Sequence, residues 1–360
     1  MKRLELLDYG RFFAALCVVL FHYTYDGIEN GKITSISLNE ELSEITKYGY
    51  FGVQLFFMIS GYVIFYSARN RTASQFAVSR AARLYPLFWF AVLITSFFAL
   101  AWGGPKMAVT PSQVLANLTM MPRFLGYDLV DGVYWTLALE LKFYILVFIF
   151  ILLGLQHKLE TAFLLWPWLI IGSLLAGFDS LPFVGQFYCF FAAGAIFAII
   201  KEKLTVQAVL SLTAAYALCV YDSAIQPAAL NNSREYSGLV IALLVTSFFV
   251  FFLILNSKWG SNLRLFKSSE LGTLTYPLYL IHSHIGYIVI SKLATEQNKL
   301  LVCSLVFLAA IGVSYFLHKV IEVKYASYFT ELFRSTIGKT AGLLQQQSLY
   351  LQAAMRKKLL

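Results

Sequence analysis

Apolar segments long enough to cross a membrane recur along most of this chain, and they constrain its fold more than any other feature. A transmembrane helix needs about 20 predominantly apolar residues. Segments of this kind lie near residues 9–25, 49–67, 84–102, 132–154, 161–177, 182–200, 204–221, 237–255, 271–292 and 300–318. Only 13% of the residues are charged, against about 25% in a soluble domain. The sequence therefore predicts an all-α, polytopic transmembrane helix bundle of about ten spans over residues 1–319.

The lysine and arginine residues predict how the bundle is oriented. Cytoplasmic loops carry an excess of these residues, and most of the 28 in this chain lie in cytoplasmic loops when both termini are placed in the cytoplasm. The net charge of +9 is therefore assigned to topology, and no nucleic-acid partner is predicted. Residues 320–360 form the predicted cytoplasmic tail. Its apolar spacing and basic end favour an amphipathic helix on the inner membrane face, with a poorly ordered terminus as the alternative.

The first predicted span carries ionisable residues on one face. The stretch "RFFAALCVVLFH" separates Arg11 and His22 by eleven positions, which is close to three helical turns, or about 16 Å. Asp8 shares this face and can pair with Arg11 near the cytoplasmic surface. Ionisable groups inside a membrane usually pair with one another or mark a functional site. His22 is therefore either a satisfied hydrogen-bonding group of the core or part of a polar cavity.

Further ionisable residues favour a polar cavity over isolated core groups. The stretch "YWTLALELKFY" (134–144) places Glu140 inside the fourth apolar segment. The stretch "TYPLYLIHSHI" (275–285) places His282 and His284 inside the ninth. The neighbours of the glutamate in its segment are Trp135, Lys142 and Tyr144. Several buried ionisable groups in one bundle predict a polar pathway or site.

The loop before the third span contains two arginines that are one helical turn apart. Arg80 and Arg83, in "RNRTASQFAVSRAARLYP", can grip phosphate oxygens through paired N–H donors. Membrane topology alone is the alternative explanation for their charge. In the second span, "FFMISGYVI" (56–64) places Ser60 and Gly61 mid-helix, where a helix can pack closely or bend.

Five motifs, occurring in order, resemble acyltransferase family 3, a family of integral-membrane acyltransferases. They are the R-x10-H pair of the first span, "FFMISGYVI", the R-x-x-R pair followed by "YP", "W-T-L-x-x-E-x-x-F-Y" and "YPLYLIH". The resemblance covers about residues 5–325. It implies that an acyl group, usually acetyl, passes from cytoplasmic acyl-CoA to a hydroxyl of an extracytoplasmic acceptor such as a surface polysaccharide. It also implies the bacterial cytoplasmic membrane as the location.

The resemblance implies roles for individual residues and partners. His22 is expected to be essential, and Arg11, Arg80 and Arg83 are expected to serve coenzyme A. Many relatives carry a further periplasmic hydrolase-like domain, so this chain is expected to act alone or with a separate partner, including polysaccharide-assembly proteins. Where relatives often read E-R/K-P after the last span, "IEVKYA" contains Glu322 but no proline.

The chemistry suggests a separate role for each of these residues. Imidazole titrates near neutral pH, so we hypothesise that His22 is the general base, acting on the acceptor hydroxyl directly or through a short-lived acyl-enzyme. Glu140 is expected to orient His22 or neutralise its imidazolium, with His282 as the alternative in that part or as an acceptor contact. Ser60 is expected to bind coenzyme A together with the three arginines. Trp135 and Tyr144 are expected to bind the acceptor.

Other interpretations remain open from the sequence alone. The histidines and acids of different spans lack metal-ligand spacing, so no metal is predicted. The donor is expected to be acetyl-CoA, with succinyl-CoA as the alternative. The acceptor is expected to be a polysaccharide or lipid-linked sugar, with a lipid or small molecule as the alternative. A bundle with interior charges also fits a proton-coupled secondary transporter.

Overall fold

The computed structural model describes residues 3–178, 181–185, 187–229 and 236–359, and this part of the chain is helical without a β-strand. Its main helices, numbered in chain order, are α1 (Glu5–Phe21), α2 (Glu40–Thr46), α3 (Gly52–Ala68), α4 (Ala73–Trp102), α5 (Pro111–Asn117), α6 (Trp135–Leu152), α7 (Leu159–Leu175), α8 (Tyr188–Glu202), α9 (Val206–Ala229), α10 (Gly238–Asn256), α11 (Lys258–Asn262), α12 (Ser268–Ile281), α13 (Ser283–Leu293), α14 (Lys299–Leu317), α15 (Ala326–Phe333) and α16 (Lys339–Leu359). Helix α1 continues through a π-helical turn, His22–Asp26, into the short turn Gly27–Glu29.

Within the described residues, eight helices are long and apolar enough to cross a membrane. They cover Glu5–Glu29, Glu40–Ala68, Ala73–Trp102, Gly132–Leu152, Gln156–Leu175, Val206–Ala224, Gly238–Asn256 and Lys299–Lys324. The all-helical membrane fold is thus confirmed. The count of ten spans and the cytoplasmic placement of both termini stay predictions.

Two predicted spans look different in the structure. The segment 182–200 corresponds to α8, which has 15 residues and is about 22 Å long, short of the roughly 30 Å hydrocarbon core. The segment 271–292 is divided into α12 and α13, which meet at His282. Both departures occur where the chain is enclosed by other helices rather than facing lipid.

Helix α8 lies in the centre of the bundle and packs directly on α3. Every side chain from Tyr188 to Ile199 is buried, as expected for a helix that is apolar on all sides. A Cβ atom added at Gly61 of α3 would overlap the carbonyl oxygen of Phe191, and one added at Gly194 of α8 would overlap that of Met58. The two backbones therefore touch, which confirms the close packing predicted at Gly61.

Hydrogen bonds tie the π-helical turn after α1 and the residue before α6 to the break between α12 and α13. The hydroxyl of Tyr23 donates to the carbonyl oxygen of His282 at 3.0 Å. The hydroxyl of Tyr134 donates to the carbonyl oxygen of Leu280 at 3.2 Å. These bonds bring three distant parts of the sequence to one point in the bundle.

Segments predicted for opposite membrane faces meet on one stretch of α4. The ring of Phe333, in the tail, packs on Tyr85 and Trp89. The same two side chains donate hydrogen bonds to Thr119 and Leu118, in the predicted outer loop, at 3.2 and 2.9 Å. The tail forms helices α15 and α16 in its described residues, and it reaches the same stretch of α4 as the segment that precedes α6.

We expect Gly194→Ala to destabilise the protein by about 1–3 kcal/mol, because an added methyl group must push two backbones apart. The measurement is thermal unfolding of the purified protein in detergent. Gly312→Ala is the matched control: it also lies inside a helix, but its added Cβ would have no neighbour within 4 Å. Equal unfolding temperatures for both variants would contradict the backbone contact.

Candidate functional site

Two cavities lie side by side in the bundle, and Val53 and Tyr279 line both of them. The arginine cavity has a volume of about 150 Å³. Its polar lining residues include Arg11, Ser60, Arg80, Arg83, Glu140 and Tyr144. The histidine cavity has a volume of about 450 Å³. Its lining residues include His22, Asp26, Lys32, Tyr50, Trp135 and Phe187. Apart from His282, which lines neither, the predicted site residues are therefore divided between two adjacent cavities.

Arg80 has an unused donor in the arginine cavity. Its Nη2 atom donates to the hydroxyl of Ser79 at 2.9 Å, and its guanidinium lies 5.7 Å from the ring centre of Tyr144. Its Nε atom is buried and has no hydrogen-bond partner among the described residues. A buried donor without a partner is costly, so this atom is suited to receive an anionic oxygen from a ligand.

Arg83 is held by a residue of the C-terminal segment. Its Nη1 atom lies 2.5 Å from Oε1 of Glu322, whose other oxygen lies 2.8 Å from Nδ1 of His318. In the sequence, Glu322 stands out only as the remnant of a motif. Its partner Arg83 lies 239 positions away, and no sequence pattern links the two residues. The contact places the carboxylate beside Arg83, which lines the arginine cavity.

Glu140 does not contact His22, contrary to the expected pairing. Its Oε1 atom accepts hydrogen bonds from the hydroxyls of Ser60, at 2.8 Å, and Tyr144, at 2.5 Å. The physical reason is the pitch of α6: Trp135 faces the histidine cavity, and Glu140 lies five residues, or about 7.5 Å, farther along the axis. Glu140 therefore belongs to the arginine cavity. Tyr144, which was expected on the acceptor, lies there with it.

His282 is the partner of His22, which was the alternative predicted from the sequence. Nδ1 of His282 lies 2.8 Å from the carbonyl oxygen of Tyr279 and 3.1 Å from that of Leu278. Since carbonyl oxygens only accept, this nitrogen carries the proton and Nε2 of His282 is an acceptor. That Nε2 atom lies 3.2 Å from Nδ1 of His22, which also faces the carbonyl oxygen of Val18 at 2.7 Å. Nδ1 of His22 is thus the donor, and its Nε2 atom keeps a free lone pair.

Asp26 is the carboxylate nearest to the lone pair on Nε2 of His22, and it was not among the residues predicted for the site. Its Oδ2 atom lies 4.0 Å from Nε2 of His22 and accepts a hydrogen bond from the hydroxyl of Tyr287 at 2.8 Å. The available signal was the i,i+4 spacing from His22, which places both residues on one helix face. The first predicted span, 9–25, ended one position before Asp26.

His284 does not touch His22 and belongs to a separate buried cluster. Its backbone N–H donates to Oδ2 of the fully buried Asp131 at 2.9 Å. The ammonium of Lys32 donates to its Nε2 atom at 2.8 Å. Through Lys32 and Asp131, this cluster joins the segment after α1 to the segment before α6. It therefore supports the wall of the histidine cavity.

Aromatic side chains form the other wall of the histidine cavity. Trp135 packs on Phe187 with ring centres 4.9 Å apart, and the hydroxyl of Tyr50 is buried without a hydrogen-bond partner among the described residues. Phe187 has a positive φ of 59°, a left-handed conformation that side chains other than glycine seldom adopt. The described residues contain no group of three His, Cys, Asp or Glu side chains that could hold a metal ion, and the absence of a metal stays a prediction.

Comparison with known proteins identifies the family. Residues 4–319 match the acyltransferase domain of this family. The chain belongs to acyltransferase family 3. The matched range contains both cavities and ends just before Glu322. No solved structure matches this acyltransferase chain.

Two curated relatives of this acyltransferase come from rhizobia. Exopolysaccharide production protein ExoZ of Rhizobium meliloti (strain 1021) is 29% identical over 137 residues, covering 36% of this chain and 43% of the relative. Nodulation protein 10 of Rhizobium leguminosarum bv. viciae is 27% identical over 157 residues, covering 38% of this chain and 41% of the relative. Each match therefore spans less than half of the relative's length.

We expect His22 and His282 both to carry a proton on Nδ1, because both Nδ1 atoms face carbonyl oxygens. The measurement is nitrogen-15 NMR of protein labelled at histidine, with His22→Asn and His282→Asn used to assign the signals. His157, outside both cavities, is the internal reference and should average between tautomers. A proton on Nε2 of His282 would contradict the arrangement described above.

Proposed function

We propose that this protein is a membrane O-acyltransferase that moves an acyl group from cytoplasmic acyl-CoA to a hydroxyl of an extracytoplasmic or lipid-linked polysaccharide. The acyl group is acetyl, and the location is the bacterial cytoplasmic membrane. The observation that carries the proposal is the pair of adjacent cavities, with three arginines lining one and His22, which is paired with His282, lining the other. The exopolysaccharide role in the name of the first relative supports a polysaccharide acceptor.

The arginine cavity fits the phosphates of coenzyme A. Arg11, Arg80 and Arg83 line one chamber, and guanidinium groups bind phosphate oxygens through paired, charge-assisted hydrogen bonds. The free Nε atom of Arg80 offers a donor that no protein group uses among the described residues. Glu140 acts as a positioning residue in this chamber, since it holds the hydroxyl of Tyr144 under the Arg80 guanidinium.

Val53 and Tyr279 lie between this chamber and the one that contains the base, since both residues line both cavities. The Tyr279 hydroxyl is fixed by Thr136, at 2.7 Å, and by the carbonyl oxygen of Val133, at 3.2 Å. Its ring therefore has a set position between the chambers. The thioester reaches His22 when the narrow arm of coenzyme A lies along this wall. Coenzyme A supplies the activated carbonyl, and the protein supplies position and proton transfer.

His22 acts as the general base through its Nε2 atom. This atom takes the proton of the acceptor hydroxyl as the hydroxyl oxygen bonds to the acyl carbon. The carbon–sulfur bond then breaks, and the imidazolium returns the proton to the departing thiolate. His282 fixes the ring orientation and Asp26 stabilises the imidazolium, which together are the roles of the orienting group in a catalytic triad.

The histidine cavity also has the surfaces that a sugar acceptor requires. Trp135 offers an aromatic face, while Lys32 and Tyr50 offer polar groups to the same cavity. Polysaccharide-assembly proteins are the expected partners that deliver the acceptor. Succinyl-CoA and a small-molecule acceptor are the alternatives that substrate screening separates.

We expect an Arg80→Ala/Arg83→Ala double variant to bind acetyl-CoA at least about tenfold more weakly, since a hydrogen bond to a charged group contributes about 1.5–3 kcal/mol. The measurement is equilibrium binding to purified protein. A Lys203→Ala/Lys258→Ala double variant removes the same charge at exposed positions outside both cavities and should bind normally. If folded wild-type protein binds neither acetyl-CoA nor succinyl-CoA, the proposal is wrong and a transporter becomes the better hypothesis.

We expect His22→Ala to reduce kcat about 10²–10⁴-fold, the range typical of general-base removal, while acetyl-CoA affinity stays unchanged. Asp26→Asn should lower kcat less, and Glu140→Gln should mainly raise the KM for acetyl-CoA. His157→Ala is the control histidine. If Glu140→Gln reproduced the His22→Ala loss of kcat at normal donor affinity, Glu140 rather than His282 would be the partner of the base.

A further inference from the structure

A third cavity lies on the side of the bundle and is not used by the proposed acyl transfer. This lateral cavity is enclosed by α6, α7, α8 and α9 and has a volume of about 800 Å³. Most of its lining is apolar, including Leu139, Ile170, Leu174, Phe183, Phe187 and Leu218. Its rim residues Ile145 and Tyr221 are 40% and 55% exposed and belong to two membrane-spanning segments. The cavity therefore opens sideways, toward lipid.

Lys142 places an unpaired positive charge in this cavity. It lies seven residues into α6, about 10 Å from Trp135 along the axis. Glu140, two positions earlier, faces the arginine cavity, so Lys142 points away from that cavity. Its ammonium forms no ion pair with a described residue. Its Nζ atom lies 5.3 Å from the ring centre of Phe124. A lysine inside a membrane span without a counter-charge indicates a functional site.

Asp222 also lines the cavity, but its carboxylate already has a role. Its Oδ2 atom accepts the backbone N–H of Phe187 at 3.1 Å and so holds the start of α8. No ion pair joins it to Lys142. The ammonium is therefore available to an anionic group that enters from the bilayer.

The lateral cavity adjoins the histidine cavity through one side chain. Phe187 lines both, and its ring separates the apolar chamber from Trp135. A molecule bound in the lateral cavity thus lies next to the chamber that contains His22. An acceptor built on a membrane lipid requires this arrangement, because its sugar must reach the base while its chain stays in an apolar environment.

We propose that the lateral cavity binds the lipid carrier of the acceptor, a long apolar chain ending in a phosphate, with the phosphate paired to Lys142. This inference rests on the proposed acyltransferase function, whose acceptor it specifies as lipid-linked. Charge complementarity at Lys142, the apolar lining and the shared wall at Phe187 all select this amphiphile over a free polysaccharide.

The test is thermal unfolding of the full-length protein in an uncharged detergent, with decaprenyl phosphate as the probe and no coenzyme A present. We expect the probe to raise the unfolding temperature of wild type and Lys142→Arg, but not of Lys142→Gln. Lys258→Gln, an exposed lysine outside the cavity, should respond as wild type does. Decaprenol, which lacks the charge, and inorganic phosphate, which lacks the chain, should have no effect.

Three outcomes would overturn the proposal: stabilisation of Lys142→Gln by the probe, no stabilisation of wild type, or equal stabilisation by phosphatidylglycerol, which would indicate ordinary lipid contact. Normal acetyl-CoA binding by Lys142→Gln shows that this variant is folded. Leu174→Trp gives a second check, because it fills the cavity without changing charge and should also abolish the response. Loss of acetyl-CoA binding by wild type with the lipid response retained would reject the proposed function alone.

Discussion

The need to pair ionisable side chains inside an apolar bundle determines much of this structure. An unpaired charge in a membrane is costly, and the partners found here come from distant parts of the chain. The Glu140 carboxylate takes hydroxyls from α3 and α6, and Arg83 of α4 pairs with Glu322 beyond α14. His22 meets His282 across 260 positions. Each contact between two helices fixes how far one is shifted along its axis relative to the other. The polar groups therefore set the register of the helices in the bundle.

Close packing of α3 on α8 supports this arrangement from the centre. Helix α3 carries Val53, which lines both cavities, and Ser60, which bonds to Glu140. Its height is set by the backbone contact at Gly61 and Gly194. Helix α8 is short because it is enclosed by other helices, and its first residue follows Phe187, which separates the lateral and histidine cavities. The same packing thus positions the wall at Val53, the donor chamber and the lateral cavity.

The site combines a charged chamber with a nearly neutral one, and this difference suits the chemistry of acyl transfer. The arginines concentrate positive charge where an anionic donor is expected to enter. The histidine pair has a defined direction of hydrogen bonds, from His22 to His282 and on to the carbonyl oxygens. This direction leaves the Nε2 lone pair of His22 in the cavity, where Asp26 lies 4.0 Å away.

The sequence by itself determined the membrane class, the family and the residue types of the site. Arg11, Ser60 and His22 were selected as polar groups in apolar segments, and Arg80 and Arg83 as a pair one helical turn apart in a loop. The structure places all five on cavity walls.

Only the tertiary structure decided which of these residues meet. Glu140 lies about one and a half turns too far along α6 to reach His22, and the sequence contains no measure of the offset between two helices. Asp26 was passed over because the first predicted span ended at residue 25, one position short of the end of the π-helical turn His22–Asp26. Hydropathy reports whether a residue lies in a span, whereas the height and rotation of that span depend on packing and hydrogen bonds with helices elsewhere in the chain.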